Sequence, residues 1–401
     1  MADGPLQLDR SVGLGLLTLY GIGVIVGAGI YVLIGAVAGV SGALMPLAFL
    51  VAGVVAAFSA GSFAELSARI PESAGEAAYV EEAFAAPLLS TLTGLGVVAV
   101  GTISAAVIVK GGVGYIAGFV DLPRAPMEIA VLLLLGAIAG LGVRRSLTVA
   151  GVVTLAEIAG LLVVAAAGLA APAEMAVGEM LAAAGTALDA TPALLAGALI
   201  AFFAFVGFED MVNMAEETVD PARTVPRAIF LAVAATTALY CLVAVAALHA
   251  VGVDRLAESE RPLALVFEAG TGMSDRPILV IAILATLNGA LVQIVMVSRV
   301  LYGLGRRRRR WLGWFHALNG RTRTPLRATA TAVAVIAALI LSAPIATLAE
   351  WTSTVLLCVF VMVNAALIAL KRRGPPPPGA PRMPMAVPVL AILFALGLLL
   401  A

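Results

Sequence analysis

Long apolar runs separated by short polar segments make up most of the chain. A helix needs about 20 apolar residues to cross a bilayer, and runs of roughly that length recur along the whole sequence. The pattern predicts an all-α integral membrane protein with about eleven transmembrane helices. The predicted spans are residues 13–38, 43–66, 88–118, 127–142, 147–170, 192–213, 227–252, 277–304, 327–343, 347–370 and 386–401.

The basic residues are distributed unevenly between the two sets of loops. With a cytoplasmic N-terminus, nineteen of the 24 lysines and arginines lie at cytoplasmic positions and four lie outside. Cytoplasmic loops carry an excess of lysine and arginine, so we predict a cytoplasmic N-terminus and a multi-pass protein of the plasma membrane. The first apolar run exceeds a signal-peptide core and is interpreted as a retained span. The arginine run 306–310 is interpreted as a topogenic cluster, with anionic-lipid contact as an addition.

Composition excludes several other classes of protein. The chain is 62% hydrophobic and only 12% charged, whereas soluble domains carry about 25% charged residues. Its net charge is zero, which argues against nucleic-acid binding because that requires a concentrated basic face. The two cysteines and two histidines are scattered, so no metal site, disulfide or cofactor is predicted. No catalytic set is recognisable either, and we expect no enzyme activity.

Two spans contain signals for a broken helix. The segment Gly21–Tyr31 reads GIGVIVGAGIY, and Gly27-Ala28-Gly29 falls near its middle. The segment Phe203–Glu209 reads FAFVGFE and predicts a second break near Val206-Gly207. Hydrocarbon tolerates an opened backbone only where it lines a cavity. A pair of interrupted spans in corresponding positions points to the substrate site of a secondary transporter.

Each predicted break exposes backbone groups suited to one end of an α-amino acid. The half-helix N-terminus carries free N–H groups and attracts a carboxylate, and the C-terminus carries free carbonyls that attract an ammonium group. The predicted carboxylate donors are Ala28, Gly29 and Ile30, beside Gly27. The predicted ammonium acceptors are the carbonyls of Ile25, Phe203, Ala204 and Val206. The alternative is that the glycines only form packing faces, since Gly23-xxx-Gly27 fits that pattern.

The spans also predict two structural repeats within a single transmembrane domain, residues 1–401. Spans 1–5 (residues 11–170) and spans 6–10 (residues 190–373) form two units of five. An odd number of crossings inverts the second unit relative to the first. The eleventh span (384–401) is additional. Hydropathy and the positions of the breaks are the basis for this repeat, because no residue-level similarity joins the halves.

Several segments together resemble the amino acid–polyamine–organocation superfamily. They are GIGVIVGAGIYVLIG (21–35), PESAGEAAYVEEAF (71–84), FFAFVGFEDMVNMAEETVDPARTVPRAI (202–229), SRVLYGLGR (298–306) and NGRTRTP (319–325). The chain looks most like bacterial and archaeal relatives of the cationic amino acid transporter branch. The resemblance implies a five-plus-five inverted-repeat fold with broken helices 1 and 6, and alternating access. Ala74 and Ala77 depart from the loop motif, and no twelfth span is visible, which leaves the oligomeric state open.

Ionisable residues inside spans are functional candidates because burying them is costly. Some proton-coupled relatives place a lysine at what looks like the position of Glu157. A carboxylate there could carry a proton, could ligate sodium with Thr286, Asn288 and nearby carbonyls, or could be a buried neutral acid. In relatives an acid at the position of Glu209 links span 6 to the central cavity. Lys110 could partner Glu157 or Glu209, or extend towards the membrane surface.

These features predict a secondary active permease that moves an L-amino acid by ion-coupled symport or by exchange. The substrate side chain is expected against Phe202, Phe203, Phe205 and Phe208, with Thr102 and Ser104 of span 3 opposite. Apart from Glu209, no acid is expected in this pocket, which favours a neutral amino acid. A transporter of polyamines or other organic cations is the alternative, followed by a channel or sensor on the same scaffold. The sequence does not indicate which amino acid is carried, the coupling ion (sodium or proton) or the direction.

Overall fold

Helices form almost all of the regular structure that is described. The computed structural model describes residues 12–26, 29–70, 75–120, 122–140, 147–185, 190–319, 324–377 and 380–400. Within these ranges one isolated parallel bridge, between Val12 and Thr218, is the only β-type pairing. The prediction of an all-α chain is therefore confirmed for this part of the protein.

The first half contains eight α-helices, and the second half contains nine. In order they are α1 (Leu14–Val26), α2 (Gly29–Ser41), α3 (Met45–Arg69), α4 (Gly75–Phe84), α5 (Pro87–Ile116), α6 (Arg124–Gly140), α7 (Leu147–Ala170), α8 (Val177–Gly185), α9 (Thr191–Phe202), α10 (Pro221–Val251), α11 (Val253–Glu258), α12 (Pro262–Thr271), α13 (Arg276–Arg307), α14 (Arg309–Leu312), α15 (Leu326–Ser342), α16 (Ile345–Arg373) and α17 (Ala386–Leu399). The described 3-10 helices are Gly42–Leu44, Phe203–Phe205, Glu209–Glu217 and Gly313–His316. These counts refer to the described ranges.

Each predicted span coincides with helical structure. By length and composition, seven described helical segments can cross a membrane, and four more apolar helices of 10–17 residues accompany them. The chain is therefore a multi-pass membrane protein, while the count of eleven spans and the inverted repeat stay predictions. The short helices α4, α8, α11 and α12 were not predicted, because a search for membrane-length runs passes over them.

Proline marks the beginning of many helices. It occupies the first turn of α3, α5, α9, α10, α12 and α13. Its missing N–H costs nothing there, because the first-turn amides have no intrahelical acceptor. Two of these helices, α10 and α12, end at glycines with positive φ, Gly252 (+75°) and Gly272 (+63°). The boundaries of several long helices are thus encoded locally.

The two interrupted spans lie at the centre of the packing. Helix α1 packs against α7 and α10, and α2 packs against α9 and α5. The long pairs α5–α13 and α3–α10 flank them. As a result, the described residues on either side of both predicted breaks are enclosed by protein rather than by lipid, which is the condition for an opened helix at membrane depth.

Ion pairs connect loops that the sequence assigns to the same side of the membrane. Arg124 pairs with Glu260, and both were predicted outside. At the other end, Lys371 Nζ, in a predicted cytoplasmic loop, lies 2.6 Å from Glu65 Oε2, at the end of the predicted span 43–66 that leads into a cytoplasmic loop. An ion pair requires both residues at one end of the bundle, so these contacts support the predicted alternation of loops. Which end faces the cytoplasm stays a prediction.

Candidate substrate site

The first predicted break falls between two described helices. Helix α1 ends at Val26 and α2 begins at Gly29. Gly27 and Ala28 lie outside the described residues. Gly29 and Ile30, the first described residues after this position, are buried, and their amides stay the predicted carboxylate donors.

The second span is interrupted at Val206 and Gly207. Helix α9 continues into the 3-10 turn Phe203–Phe205, after which Val206 has ψ 129° and Gly207 has φ +120°. The chain then resumes as a 3-10 helix, Glu209–Glu217, rather than as the second α-helical half that the sequence suggested. The Phe203 carbonyl accepts from the Val206 amide (3.1 Å), so this predicted ammonium acceptor already has one partner.

Residues on both sides of the first predicted break lie against the second break. A Cβ atom on Gly29 would overlap the Cα of Ala204, in the backbone of the second break. A Cβ atom on Gly207 would lie 2.5 Å from Cγ1 of Val24, in the first broken span. Glycine at both positions therefore permits the close approach of two backbones.

A buried tyrosine joins the breaks. The Tyr240 hydroxyl, on α10, lies 2.9 Å from the carbonyl oxygen of Ile25 and 2.9 Å from that of Ala204. Its ring packs edge-on against Phe205, with ring centroids 5.3 Å apart. Both carbonyls are predicted ammonium acceptors, and in this conformation the single hydroxyl proton of Tyr240 serves one or the other of them. Sequence reasoning missed Tyr240, although a tyrosine inside an apolar span signals a hydroxyl in need of a buried partner.

Comparison with known proteins decides the family. A family model described as amino acid permease matches residues 14–401. The chain belongs to the amino acid permease family. This family lies within the amino acid–polyamine–organocation superfamily, so the resemblance noted in the sequence is confirmed.

Relatives with transporter names cover most of the chain. An uncharacterized transporter of Mycobacterium tuberculosis is 33% identical over 92% of this chain and 82% of its own length. A branched-chain amino acid permease of Bacillus subtilis is 27% identical over 99% of this chain and 89% of its own. A vacuolar cationic amino acid transporter of Arabidopsis thaliana is 27% identical over 94% of this chain and 66% of its own.

The predicted pocket phenylalanines are all buried. Phe202 and Phe208 both contact Phe360 of α16, and Phe208 also contacts Phe63 of α3. Phe205 instead contacts Tyr240. They make the surroundings of the second break apolar and aromatic. The predicted polar residues of span 3 are buried in α5, where Thr102 donates to the Val98 carbonyl (2.9 Å) and Ser104 Oγ has no partner among the described residues.

Glu157 lies beside the first break. It is 1% exposed, in the middle of α7. The Tyr31 hydroxyl donates to its backbone carbonyl (3.3 Å), and its carboxylate interacts electrostatically with Tyr31 and Tyr240. One turn earlier, Thr154 packs against Gly23 of α1. A change of charge on the Glu157 carboxylate would therefore change its electrostatic interaction with Tyr31 and with Tyr240, the residue that contacts both broken spans.

The predicted sodium ligands lie together on α13. The Thr286 hydroxyl donates to the Ala282 carbonyl (2.7 Å). The buried amide oxygen of Asn288 has no partner among the described residues. Because buried polar atoms are normally satisfied, Asn288 has the capacity to accept from water or to coordinate a cation.

Three buried acids surround the second break. The Gly207 amide donates to Glu209 Oε2 (2.9 Å), so this carboxylate stabilises the opened backbone at Gly207. Asp210 is also buried, and its Oδ2 atom has no described partner. Glu76 of α4 interacts electrostatically with both acids. Burial raises the pKa of Glu76 to about 7. Glu76 lies within the segment PESAGEAAYVEEAF (71–84), from which no site residue was predicted.

Lys110 has a different partner from those expected. Its Nζ atom lies 3.7 Å from Glu128 Oε2 of α6 and donates to the Ile340 carbonyl of α15 (2.9 Å). Lys110 therefore pairs with neither Glu157 nor Glu209, and it connects α5 to α6 and α15. The coupling role predicted for Lys110 loses its geometric basis.

Proposed function

We propose that the protein is a secondary active permease that carries an L-amino acid across the plasma membrane by alternating access. The observation that carries the proposal is the contact between the opened backbone at Val206-Gly207 and the residues that flank the predicted break in the first span. We propose that the backbone amides of Gly29 and Ile30 are offered on one side, with the carbonyls of Ile25 and Ala204, which converge on Tyr240, on the other. These groups complement the two charged ends of a zwitterion.

Substrate binding and the Tyr240 hydroxyl compete for the same carbonyls. A tetrahedral ammonium group bonds to acceptors about 4.5 Å apart when each N···O distance is about 2.8 Å. The Tyr240 oxygen is 2.9 Å from each carbonyl, so the proposed ammonium group would compete with the hydroxyl for these two oxygens. Release of Tyr240 would let the two broken spans move apart. Residues 11–170 and 190–373 stay the proposed repeat units, and one bundle of helices is proposed to rock against the remaining spans.

A neutral side chain fits the site best. The phenylalanines around the second break present an apolar surface, and Glu209 is turned to the Gly207 amide. The branched-chain name of the Bacillus subtilis relative agrees with this proposal. An organic cation is the second candidate. The cluster of Glu76, Glu209 and Asp210 favours it, as does the cationic name of the plant relative.

We assign ion coupling to Glu157 and Glu209. Each carboxyl group is buried next to one break, so its protonation or a bound sodium ion would change how that break is held. Thr286 and Asn288 are the proposed additional sodium ligands. The proposed orientation keeps the N-terminus in the cytoplasm.

Two measurements test this function. A thermal-shift screen against the twenty amino acids, with and without sodium, should show stabilisation by a small set. Counterflow of the radiolabelled hit in proteoliposomes should then saturate with concentration. Flux that rises linearly would indicate a channel, and an absence of any stabilised state together with no uptake would contradict the permease assignment.

A further inference from the structure

A second site lies at the end of the bundle, away from the breaks. An open groove of about 790 Å³ lies between the start of α5, the end of α13 and α14. Its lining residues are Pro87, Leu88, Thr91, Arg307, Arg308, Arg310 and Trp311. None of them takes part in the proposed amino acid site.

The groove has an excess of positive charge. Glu81 is the carboxylate that both Arg307 (3.1 Å) and Arg308 (3.3 Å) contact. Arg308 also donates to Thr91 Oγ1 (2.9 Å), which fixes its guanidinium in place. Burial alone would raise the pKa of Glu81, but hydrogen bonding and charge from Arg308 hold it below its usual value. The carboxylate is thus ionised, and it balances one of the guanidinium groups.

Arg310 supplies the charge that is left over. It lines the groove, its side chain is exposed, and it forms no ion pair with any residue that the structure describes. A guanidinium group binds phosphate oxygens through parallel N–H···O bonds. The groove therefore offers a site for an anion with several oxygens.

An apolar stripe runs from the groove along the adjoining span. Leu88, Leu92 and Leu95 of α5 are 62%, 56% and 37% exposed, and their spacing places them on one face of the helix. Trp311 at the mouth is 73% exposed. Tryptophan is enriched where proteins meet the membrane surface. The charged site thus continues directly into a lipid-facing surface.

We propose that this groove binds an anionic phospholipid, with the phosphate on Arg310 and its neighbours and one acyl chain along the leucine stripe. A free phosphate ion would satisfy the guanidinium groups and leave the stripe without a role. A zwitterionic lipid would leave part of the positive charge unbalanced. Bound lipid would join α5, α13 and α14 at the membrane surface.

The test uses the full-length protein in a neutral detergent. Native mass spectrometry should show retained phosphatidylglycerol in preference to phosphatidylcholine. Arg310→Gln should weaken phosphatidylglycerol binding by about fivefold, the effect of one basic residue at a membrane surface. Arg306→Gln is the matched control, because Arg306 belongs to the same exposed run but does not line the groove. Arg310→Lys should bind nearly as the parent does.

A second variant tests the acyl-chain half of the site. Leu92→Ser should lower the retention of phosphatidylglycerol without changing the binding of inorganic phosphate. The proposal is overturned if Arg310→Gln and Arg306→Gln weaken lipid equally, or if phosphatidylcholine is retained as well as phosphatidylglycerol. It is also overturned if inorganic phosphate at millimolar concentration displaces the lipid, since the site would then recognise phosphate alone.

Discussion

The two breaks are built in different ways. The first is predicted between α1 and α2, where glycine at residue 29 lets the start of α2 contact the backbone of the second span. The second has a 3-10 segment on each side, a glycine with positive φ and a carboxylate that holds its amide. The first break thus depends on close backbone packing. The second depends on side-chain hydrogen bonds, which a proton or a substrate can alter.

The largest expected effect comes from filling the first break. Gly29→Leu should abolish transport, and Gly29→Ala should already do so, because the added methyl group meets the Ala204 backbone, which cannot rotate away. Uptake in proteoliposomes is the measurement. Gly15→Ala in α1 is the control, since no atom lies within 4 Å of the Cβ position there. Normal uptake by Gly29→Leu would defeat the assignment of this break.

The next largest effect is expected from removing the negative charge of the buried glutamate next to each break. Glu157→Gln beside the first break, or Glu209→Gln on the second, should uncouple uptake from the ion gradient and spare exchange. Glutamine keeps an oxygen that can accept from the Gly207 amide, so Glu209→Gln removes charge with little change in shape. Uptake is measured against pH and sodium concentration. An unchanged dependence in both variants would remove both acids from coupling.

A methyl group on the second break should be tolerated better than one on the first. At φ +120°, Gly207→Ala adds backbone strain of about 1–3 kcal/mol, but the nearest backbone atom that its methyl group meets, in Val24, is 3.2 Å away, whereas a methyl group on residue 29 overlaps the Ala204 backbone. We expect a lower melting temperature with measurable residual uptake. Gly303→Ala in α13 is the control, with open space around it. If Gly207→Ala were as stable as that control, the positive φ would be unimportant.

Glu76, near the second break, should make the free energy of unfolding of the protein depend on pH. An unfolded glutamate ionises near 4.5, whereas Glu76 in the folded protein ionises near 7. Between these values the unfolded chain binds fewer protons, so stability falls as pH rises and levels off above 7. Glu76→Gln should match the parent at low pH and exceed it at pH 8 by roughly 1–3 kcal/mol.

The control for this prediction is Glu82→Gln, on the exposed side of the same helix, α4. Melting temperatures from pH 4 to pH 8 compare the three proteins. A constant difference between Glu76→Gln and the parent across this range would show that the Glu76 carboxyl group is not responsible.

The smallest expected effect concerns the residue that joins the breaks. Tyr240→Phe removes one hydroxyl and should lower the stability of the substrate-free protein by about 1 kcal/mol. Stabilisation by bound amino acid should become larger than in the parent, because the ammonium group no longer competes with the hydroxyl. Tyr302→Phe, a half-buried tyrosine without a described hydroxyl bond, is the control. Equal ligand stabilisation in Tyr240→Phe and the parent would argue against competition.

Hydropathy and glycine placement predicted much of the fold, and particular residues show why the rest was missed. The break at residue 207 could be predicted because glycine weakens a helix locally. The partner of Lys110 could not, because Glu128 belongs to another helix and its approach depends on how α5, α6 and α15 pack. For the same reason, Tyr240 could be recognised as a buried hydroxyl, but its two carbonyl partners come from separate spans.

The most direct test compares three forms of one ligand in a binding assay with the purified protein. They are the amino acid found in the screen, the amine that lacks its carboxylate and the acid that lacks its amino group. If the breaks hold both ends of a zwitterion, each analogue should bind about tenfold more weakly or worse. Binding of either analogue as tightly as the amino acid would contradict the account.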